Sequence, residues 1–508
     1  MTTMSKRFHP KVLFVASEIA PWIKTGGLAD VAGALPHALH ELGVDVRVLV
    51  PAYPALVRAL AAAPRVVTEI PPVGALPPAR LLRVPAVGPD GTHGPGMLLV
   101  DCPALYDRPG NPYLGADGKD WPDNDLRFGQ LSRVAALLGT DASPLASPAS
   151  PASSIWRPDV IHCNDWQSAL APVYLAQARG AHAASVMTVH NLAYQGLFPM
   201  ARAAALALAP ESVSLDRAEY YGQISFLKGG LACADAITTV SPTYAREIRG
   251  EALGFGLQGL LSMRTAVLHG ILNGIDTAYW NPATDPYLAQ HYDADTVAAG
   301  KAANKRALQA ELGLPVDESV PVLGTVGRVV AQKGFDLIVD AAEALLATGA
   351  QIVLQGTGDA AIEARLQALA QRYPDRVAVR IAFDERIAHC IEAGSDMFLM
   401  PSRFEPCGMN QMYSQRYGTL PIVCRTGGLA DSVTDCTPET IADGSATGFV
   451  FHPPSAEALA EAAGRAIAHY RSPAAWRTMQ RAAMARDFSW TASARRYVEV
   501  YRAAMGMP

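Results

Sequence analysis

Two copies of one short motif carry the residues best suited to hold an anionic ligand. The sequence Lys-Thr-Gly-Gly-Leu-Ala-Asp at Lys24–Asp30 returns as Arg-Thr-Gly-Gly-Leu-Ala-Asp at Arg425–Asp431. Each copy lies between an apolar run and a helical pattern. Paired glycines let a backbone approach a ligand, and the N–H groups of a following helix favour an anion. A ligand-free connection explains either copy alone equally well, but together they predict two phosphate-binding loops facing one cleft.

Two further clusters follow apolar runs in the second half of the chain. Arg328 and Lys333 flank a turn. The planar guanidinium of Arg and the compact ammonium of Lys together suit a diphosphate. Solvated surface charges show the same spacing. Glu405 lies in the sequence Phe-Glu-Pro-Cys-Gly. Its carboxylate is suited to bind sugar hydroxyls or to stabilise positive charge at a reacting carbon. A purely dipolar role at a helix N-terminus explains Glu405 equally well.

Polar residues also follow two apolar runs in the first half. His162, Asp165 and His190 resemble a metal site only superficially, because no His-Glu-x-x-His or Cys/His framework accompanies them. We therefore predict no metal. His190 and Asp165 are interpreted as polar walls for a sugar, or Asp165 as a residue that orients a neighbour.

Composition narrows the class of protein. A chain of 508 residues predicts two large domains. The 42 Lys and Arg nearly balance the 47 Asp and Glu, so neither nucleic acid nor an anionic membrane is expected as a partner. Seven scattered cysteines favour free thiols in a reducing compartment. No run approaches the ~18 apolar residues of a membrane span, and a soluble, cytoplasmic protein is expected.

Apolar runs alternate with longer Ala- and Leu-rich helical patterns, which is typical of parallel sheets covered by helices. Strands are predicted at 11–17, 44–50, 97–102, 159–163, 185–190, 236–241, 322–326, 351–354, 377–382, 397–400, 420–424 and 448–451. Segments 73–96 and 139–154 interrupt the alternation. The second is rich in Ser, Pro and Ala, and we interpret it as a mobile surface insertion.

These patterns predict an α/β fold with two doubly wound, Rossmann-like domains facing a central cleft. The polar segment 277–298 is the expected junction. We predict an N-terminal domain at 1–276, a C-terminal nucleotide-sugar-binding domain at 277–488, and a terminal helix at 489–508 that packs back on the first domain. No oligomeric state is predicted.

The chain resembles bacterial glycogen synthases, the retaining glucosyltransferases related to plant starch synthases. The resemblance runs from Val12 to about Tyr501 and rests on motifs in a fixed order. Besides the two Thr-Gly-Gly motifs they are 162–166, Thr-Val-His-Asn-Leu-Ala-Tyr-Gln-Gly at 188–196, Phe-Leu-Lys-Gly-Gly at 226–230, 239–245, Asn-Gly-Ile-Asp at 273–276, Gln-Lys-Gly at 332–334 and 401–408.

This resemblance implies the two-domain GT-B architecture and transfer of glucose from ADP-glucose to the 4-hydroxyl at the non-reducing end of an α-1,4-glucan, with retention and without a cofactor or metal. It implies catalytic roles for Lys333, Arg328, Glu405, His190 and Asp165. It implies donor contacts from Lys24, Gly26, Gly27, Asp30, Asn273, Phe383, Cys407, Gly408, Tyr413, Thr426, Gly427 and Gly428. We favour front-face displacement, in which a donor phosphate oxygen accepts the acceptor proton, because no nucleophile is evident.

Two positions depart from related retaining transferases. Tyr413 stands where many of them have a second Glu for the ribose, and Phe383 stands where a Tyr is familiar near the base. Phe383 keeps a stacking surface but loses the hydroxyl contact. Neither residue selects adenine over uracil.

Other functions fit parts of the pattern. A UDP-glucose-dependent transferase would share the residues, and a glucan phosphorylase would share the architecture but require pyridoxal phosphate on a lysine. A nucleotide-sugar epimerase would need acid and base pairs. A non-catalytic glucan-binding protein would not need Lys24, Arg328, Lys333 and Glu405 together.

The two Thr-Gly-Gly motifs are expected to differ in role. Because Arg425–Asp431 shares a predicted domain with Arg328 and Lys333, Lys24→Ala should lower turnover more than it weakens ADP binding. Lys333→Ala should impair both. Calorimetric titration with ADP beside steady-state kinetics measures the two effects, and an equal loss of ADP affinity in both variants would contradict this division.

Overall fold

The computed structural model describes residues 9–60, 63–84, 94–146 and 156–507. Within them the chain forms two compact units. The first comprises the described residues up to Val240, Ala245–Gly274 and the chain from Trp490 onward, and the second comprises Ser241–Tyr244 and Ile275–Ser489. The polar segment 277–298 therefore lies wholly in the second unit, and the predicted domain limits remain a prediction.

Up to Gly270, the described residues form mostly βα units, with some consecutive strands that have no helix between them. The strands are β1 (Lys11–Val15), β2 (Asp45–Pro51), β3 (Arg65–Ile70), β4 (Ala79–Val84), β5 (Gly96–Asp101), β6 (Val160–Asn164), β7 (Ala184–Val189), β8 (Leu197–Pro199), β9 (Glu219–Tyr220), β10 (Gln223–Ser225), β11 (Ala236–Thr239) and β12 (Leu268–Gly270). The helices are α1 (Gly27–Glu41), α2 (Pro54–Ala59), α3 (Pro103–Tyr106), α4 (Asn124–Leu138), α5 (Leu170–Gln177), α6 (Phe226–Cys233), α7 (Pro242–Glu247) and α8 (Gln258–Met263).

The remainder of the chain continues the alternation. Its strands are β13 (Val322–Val326), β14 (Gln351–Gln355), β15 (Val377–Arg380), β16 (Met397–Met400), β17 (Leu420–Cys424) and β18 (Phe449–Phe451). Its helices are α9 (Val297–Glu311), α10 (Phe335–Ala347), α11 (Ala360–Arg372), α12 (Glu385–Gly394), α13 (Asn410–Arg416), α14 (Gly427–Ser432), α15 (Pro438–Ala442), α16 (Ala456–Tyr470), α17 (Pro473–Met484) and α18 (Trp490–Ala504).

The main sheet of the first unit has the strand order β12-β11-β7-β6-β1-β2-β5-β4-β3. Pairing is parallel from β12 to β5, and β4 and β3 add an antiparallel edge. The chain leaves β1 toward β2 on one side and later returns to β6 on the other. Ligands of open α/β sheets bind at such a switch point, beyond the carboxyl ends of the strands. For this sheet the switch lies between β1 and β6.

The final helix α18 belongs to the first unit, where it packs against α1, β7 and β11. Its rings Tyr497 and Tyr501 are fully buried. The hydroxyl of Tyr501 lies 2.8 Å from His162 Nδ1 on β6. Tyr497 and Tyr501 thus belong to the buried face of this helix.

The sheet of the second unit is wholly parallel, with the order β15-β14-β13-β16-β17-β18. Apolar side chains of β13, β14, β16 and β17 fill two cores, one on each face, which explains their continuous hydrophobic runs. The order reverses between β13 and β16, so the loops after these two strands meet at the switch point.

All twelve predicted strands are present, with ends that shift by up to two residues. The reading of 73–96 as an interruption was wrong in part, because Ala79–Val84 forms β4. Strand β3 carries Arg65 and Glu69 and lies at the antiparallel edge of the sheet. A strand in an antiparallel sheet needs only one buried face, so it can contain charged residues. Residues 85–93 of the first predicted interruption and residues 147–155, which include the second half of 139–154, lie outside the described residues.

A buried ion pair joins four elements of the second unit. Lys305 Nζ on α9 lies 2.7 Å from Asp396 Oδ2, and the two side chains are 3% and 9% exposed. The same ammonium donates to Glu318 O and Tyr470 Oη, both at 2.9 Å. Asp396 Oδ2 also accepts from the backbone N–H of Val322 at the start of β13.

Lys305→Met should destabilise the second unit by about 3–5 kcal/mol, because it leaves the Asp396 carboxylate buried without its cation. Hydrogen exchange of the β13 and β16 amides measures the loss. The matched control is Arg306→Met, which removes an ion pair with Glu318 whose side chains are about half exposed; it should cost no more than ~1 kcal/mol. Equal effects of the two substitutions would contradict the assignment.

Candidate active site

An ion pair joins Lys333 and Glu405 at the switch point of the second sheet. Lys333 ends the short helical turn Ala331–Lys333 after β13, and Glu405 lies in the loop after β16. Lys333 Nζ lies 2.5 Å from Glu405 Oε2, which also accepts from Ser402 Oγ at 3.1 Å. The Glu405 side chain is 7% exposed and that of Lys333 is 24% exposed. The carboxylate is thus shielded, while the cation remains within reach of a ligand.

The loops that carry this pair are fastened to each other. Arg403 donates twice to Asp336 at the start of α10, with Nη1–Oδ1 at 2.8 Å and Nη2–Oδ2 at 2.7 Å. Gly334 has φ +74°, and a Cβ added there would lie 2.1 Å from Pro401 O. Only glycine allows this approach, so the backbone fixes the position of Lys333.

The second Thr-Gly-Gly turn packs against the backbone that bears Glu405. A Cβ on Gly427, which has φ +40°, would lie 1.9 Å from Glu405 O, and one on Gly428 would lie 2.0 Å from Cys407 O. Gly428 N donates to Glu405 O at 3.1 Å. Close packing therefore explains both glycines. The turn holds the Glu405–Gly408 loop, and its contact with phosphate, like that predicted for Thr426, remains a prediction.

The first Thr-Gly-Gly turn has different surroundings. A Cβ on Gly26 or Gly27 would meet nothing within 4 Å, so no packing within the described chain requires glycine at either position. Lys24 Nζ lies 2.7 Å from Asp30 Oδ1 in the same motif. Glu18 Oε2 accepts from Thr25 N at 2.6 Å and Thr25 Oγ1 at 2.8 Å. This turn keeps an open backbone surface that a ligand can approach.

Two exposed arginines lie near the switch point of the second sheet. Arg328 follows β13 and Arg425 follows β17, and both are exposed. Neither forms an ion pair with any residue that the structure describes. In the second motif Asp431 instead accepts from Thr243 N and Oγ1 at 2.6 and 2.7 Å, unlike Asp30 of the first motif.

Aromatic residues of the second unit present two kinds of surface. Phe383, between β15 and α12, is 82% exposed, so its ring faces are accessible to a ligand. Tyr413 on α13 is half-buried and stacks on Trp280, with ring centroids 3.9 Å apart. Trp280 stacks in turn on His389 at 3.8 Å. The three-ring stack fixes the orientation of the Tyr413 ring.

His190 follows β7 in the first unit, and its neighbours fix its tautomer. Asn164 Nδ2 donates to Val15 O at 3.0 Å, which orients the amide so that Oδ1 faces His190 Nε2, also at 3.0 Å. An amide oxygen can only accept, so Nε2 carries the proton. Burial lowers the pKa of His190 to about 4, which leaves the ring neutral at pH 7 and Nδ1 as a hydrogen-bond acceptor.

The Asp165 carboxylate accepts a hydrogen bond from the backbone amide of His190. It follows β6 with φ 53°, and its Oδ1 accepts from His190 N at 2.7 Å. Burial raises the pKa of Asp165 to about 7, against the opposing effect of hydrogen bonds from the His190 and Asn191 amides. Asp165 thus holds the backbone beside His190, and its predicted role at the site remains a prediction.

His162 does not face a ligand. It is fully buried, its Nδ1 meets Tyr501 Oη, and its Nε2 meets Thr188 Oγ1 at 2.6 Å. Burial, reinforced by the nearby His190, lowers the pKa of His162 to about 3. In the part of the chain that the structure describes, no three His, Cys, Asp or Glu side chains are placed to hold a metal ion.

Several supporting residues went unassigned in the sequence. Ser402, Asn164, Glu18 and Trp280 have no distinctive spacing, and only the fold brings them to their partners. A partial signal existed for Asn164 and Ser402, because both directly follow or end buried strands beside predicted site residues. Asn273 was predicted as a donor contact; it is buried, and its Oδ1 has no hydrogen-bond partner among the described residues.

Comparisons with known proteins agree with this geometry. A family model described as the starch synthase catalytic domain matches residues 11–263, and one described as glycosyl transferases group 1 matches 309–482. The glycogen synthase of Dechloromonas aromatica is 53% identical over 97% of this chain and 98% of its own. That of Nitrosomonas eutropha is 51% identical over 99% and 98%. The chain belongs to the glycogen synthase family.

Solved structures extend the likeness to the fold. The catalytic domain of starch synthase IV from Arabidopsis thaliana, bound to ADP and acarbose, superposes with a TM-score of 0.80 at 32% identity and covers 98% of this chain and 100% of that one. Sucrose-phosphate synthase from Thermosynechococcus elongatus has a TM-score of 0.56 at 20% identity, with 98% and 100% covered, and shows the fold alone. The predicted GT-B fold class and the glucosyltransferase family are confirmed. No described helix of this glycogen synthase family member is long and apolar enough to span a bilayer.

Asn164→Asp should raise the pKa of His190 from about 4 toward or above its ordinary value. A carboxylate 3.0 Å from Nε2 favours the imidazolium, whereas the native amide oxygen does so only weakly. NMR titration of histidine-labelled protein measures the pKa. Asn164→Leu, which adds no charge, should keep the pKa low. A His190 that titrates as low in Asn164→Asp as in the native protein would refute the assigned contact.

Proposed function

We propose that this protein transfers glucose from ADP-glucose to the 4-hydroxyl at the non-reducing end of an α-1,4-glucan, forming α-1,4 linkages with retention of configuration. The observation that carries the proposal is the shielded Lys333–Glu405 pair beside the exposed Arg328 at the switch point of the second sheet. The related starch synthase IV is described as bound to ADP, which supports a nucleoside diphosphate donor.

Lys333 and Arg328 bind the donor diphosphate. An ammonium has three N–H donors, so Lys333 can keep its bond to Glu405 while it donates to a phosphate oxygen. Arg328 is free to turn toward the same group and to offer two parallel N–H donors. Both cations stabilise the charge that develops on the departing ADP. Lys24, with the open backbone of Gly26 and Gly27, supplies a further phosphate contact.

Glu405 binds the transferred glucose. Its Oε2 is occupied by Lys333 and Ser402, whereas its Oε1 has no hydrogen bond to any described residue and can accept from a sugar hydroxyl. The amides of Cys407 and Gly408 follow in the same loop. His190 Nδ1, held as an acceptor by the Asn164 contact, takes a second sugar hydroxyl.

Retention proceeds by front-face displacement. In this mechanism the two candidate carboxylates have binding and positioning roles, because Asp165 Oδ1 accepts from the His190 amide and Glu405 accepts from Lys333 through Oε2 while its Oε1 accepts from a sugar hydroxyl. A phosphate oxygen of the donor instead accepts the proton of the acceptor 4-hydroxyl as the glycosidic bond to ADP breaks and the new bond forms on the same face. Positioning and charge stabilisation supply the catalysis.

The nucleoside contacts the aromatic surfaces of the second unit. The exposed ring of Phe383 stacks on the base, and the fixed ring of Tyr413 contacts the ribose. We propose that the reaction requires no metal ion or cofactor, and that the protein acts in the cytoplasm.

One assay tests this function against its alternatives. Purified protein with glycogen and ADP-glucose should release ADP and extend the glucan, with UDP-glucose a poorer donor. Faster release from UDP-glucose would reassign the donor. A pyridoxal absorbance band together with phosphate-dependent release of glucose 1-phosphate would favour a phosphorylase. Release from neither donor would overturn the proposal.

Lys333→Ala should lower kcat by about 10²–10³-fold, because it removes a preorganised cation from the leaving diphosphate. Steady-state ADP release measures the loss. Arg365→Ala is the matched control, since it removes an exposed cation paired with Asp340 on the helical surface of the same unit, and it should leave kcat unchanged. A kcat for Lys333→Ala within twofold of the control would exclude the assigned role.

A further inference from the structure

Large apolar side chains are displayed on one part of the first unit. Tyr221 is 83% exposed, Tyr194 is 57% exposed and Phe255 is 36% exposed. We call these three residues the aromatic ledge. Tyr194 lies in the loop that begins with His190, and Tyr221 is in the turn of the small sheet β8-β10-β9. Exposed aromatic surface of this kind marks a place where a soluble protein meets a ligand or partner.

Two members of the aromatic ledge have the same unusual backbone. Tyr221 and Gly222 form the two-residue turn between β9 and β10 with φ 47° and 82°, and Phe255 and Gly256 have φ 45° and 78°. Such a turn favours Asn-Gly, because bulky residues rarely adopt the left-handed conformation. The chain thus holds a tyrosine and a phenylalanine where their backbone is disfavoured and local stability alone would select asparagine.

Hydrogen bonds fasten the two aromatic-glycine turns to each other. Tyr220 Oη donates to Phe255 O at 2.7 Å, and Gln195 Nε2 donates to the same oxygen at 2.8 Å. A Cβ on Gly256 would lie 2.4 Å from Tyr220 Oη. The rings of Tyr220 and Tyr221 meet edge to face with centroids 4.7 Å apart. The ledge is therefore a built surface and not a set of unrelated side chains.

Charged groups near the turn are engaged by the backbone. Glu219 Oε1 accepts from Gly222 N at 2.7 Å, and Lys228 Nζ donates to Leu215 O at 2.7 Å and to Glu219 O. What remains for a ligand is aromatic ring surface with a phenolic hydroxyl. That chemistry suits a neutral sugar polymer, whose pyranose rings have apolar faces edged by hydroxyls.

We propose that the aromatic ledge binds a segment of an α-1,4-glucan chain beyond the residue that reacts. This inference rests on the proposed function for the identity of the polymer. Because Tyr194 and His190 share one loop, a glucan whose end is bound near His190 can continue over the ledge. The ledge thereby favours long acceptors over short ones.

Tyr221→Asn tests the proposal, because asparagine suits the turn better than tyrosine. The variant should unfold at the same or a higher temperature and yet migrate with roughly 3- to 10-fold weaker affinity in glycogen-containing native gels. Its KM for glycogen should rise, whereas kcat with maltotriose as acceptor stays unchanged. Tyr221→Trp should retain the affinity, and Met263→Asn, at an equally exposed residue of the first unit, should behave as the native protein.

Gel binding separates the two proposals, because it requires no transfer. A native protein that binds glycogen through Tyr221 but transfers no glucose would overturn the proposed function and leave the ledge in place. Unchanged glycogen affinity in Tyr221→Asn would overturn the ledge, whatever the activity. Failure of the native protein to bind glycogen in the gel would also overturn it.

Discussion

The burial of one carboxylate governs the architecture at the carboxyl edge of the second sheet. Glu405 is almost fully removed from water, and an unpaired charge there would cost several kcal/mol. Its partner Lys333 comes from a loop 72 residues earlier in the chain. The two loops meet only because the strand order places β13 beside β16. Gly334 and Gly427 then allow the backbones to approach closely enough for the pair to form. The strand order and the two glycines are thus both needed for the Lys333–Glu405 ion pair to form.

The two copies of the Thr-Gly-Gly motif have the same sequence but different surroundings. In the second copy both glycines are required by backbone packing, and Asp431 caps another segment. In the first copy the glycines face open space, and Asp30 neutralises its own Lys24. Packing explains the glycines of the second copy, whereas no packing within the described residues explains those of the first, and the ligand contact predicted for them remains a prediction. The sequence alone could not separate these cases, because both produce the same pattern.

Much of the fold followed from the sequence, because a strand buried on both faces must be continuously apolar. Continuous apolar runs predicted the parallel strands β13, β14, β16 and β17. The antiparallel strands β3 and β4 lacked this signal, since both carry charged residues. Candidate site residues that follow a buried strand could be predicted by position, as Arg328 and His190 were. Those that act through distant partners, such as Asn164 on His190 or Trp280 on Tyr413, were not, because their contacts arise only from tertiary structure.

The two units differ in the non-glycine residues of their loops that adopt a positive φ. Among the described residues, the non-glycine residues with positive φ are Asp165, Ala207, Tyr221 and Phe255, and all lie in the first unit. Each such residue stores about 1–3 kcal/mol of strain, which hydrogen bonds offset, as the Asp165 carboxylate does through the His190 amide. Glycines in close contact occur in both units, for example Gly196 in the first and Gly334 in the second, and at these positions the contact excludes other conformations sterically. A strained residue lies closer in free energy to other conformations than a glycine locked by packing. The loops that carry these four strained residues are therefore those that we expect to adjust when substrate binds.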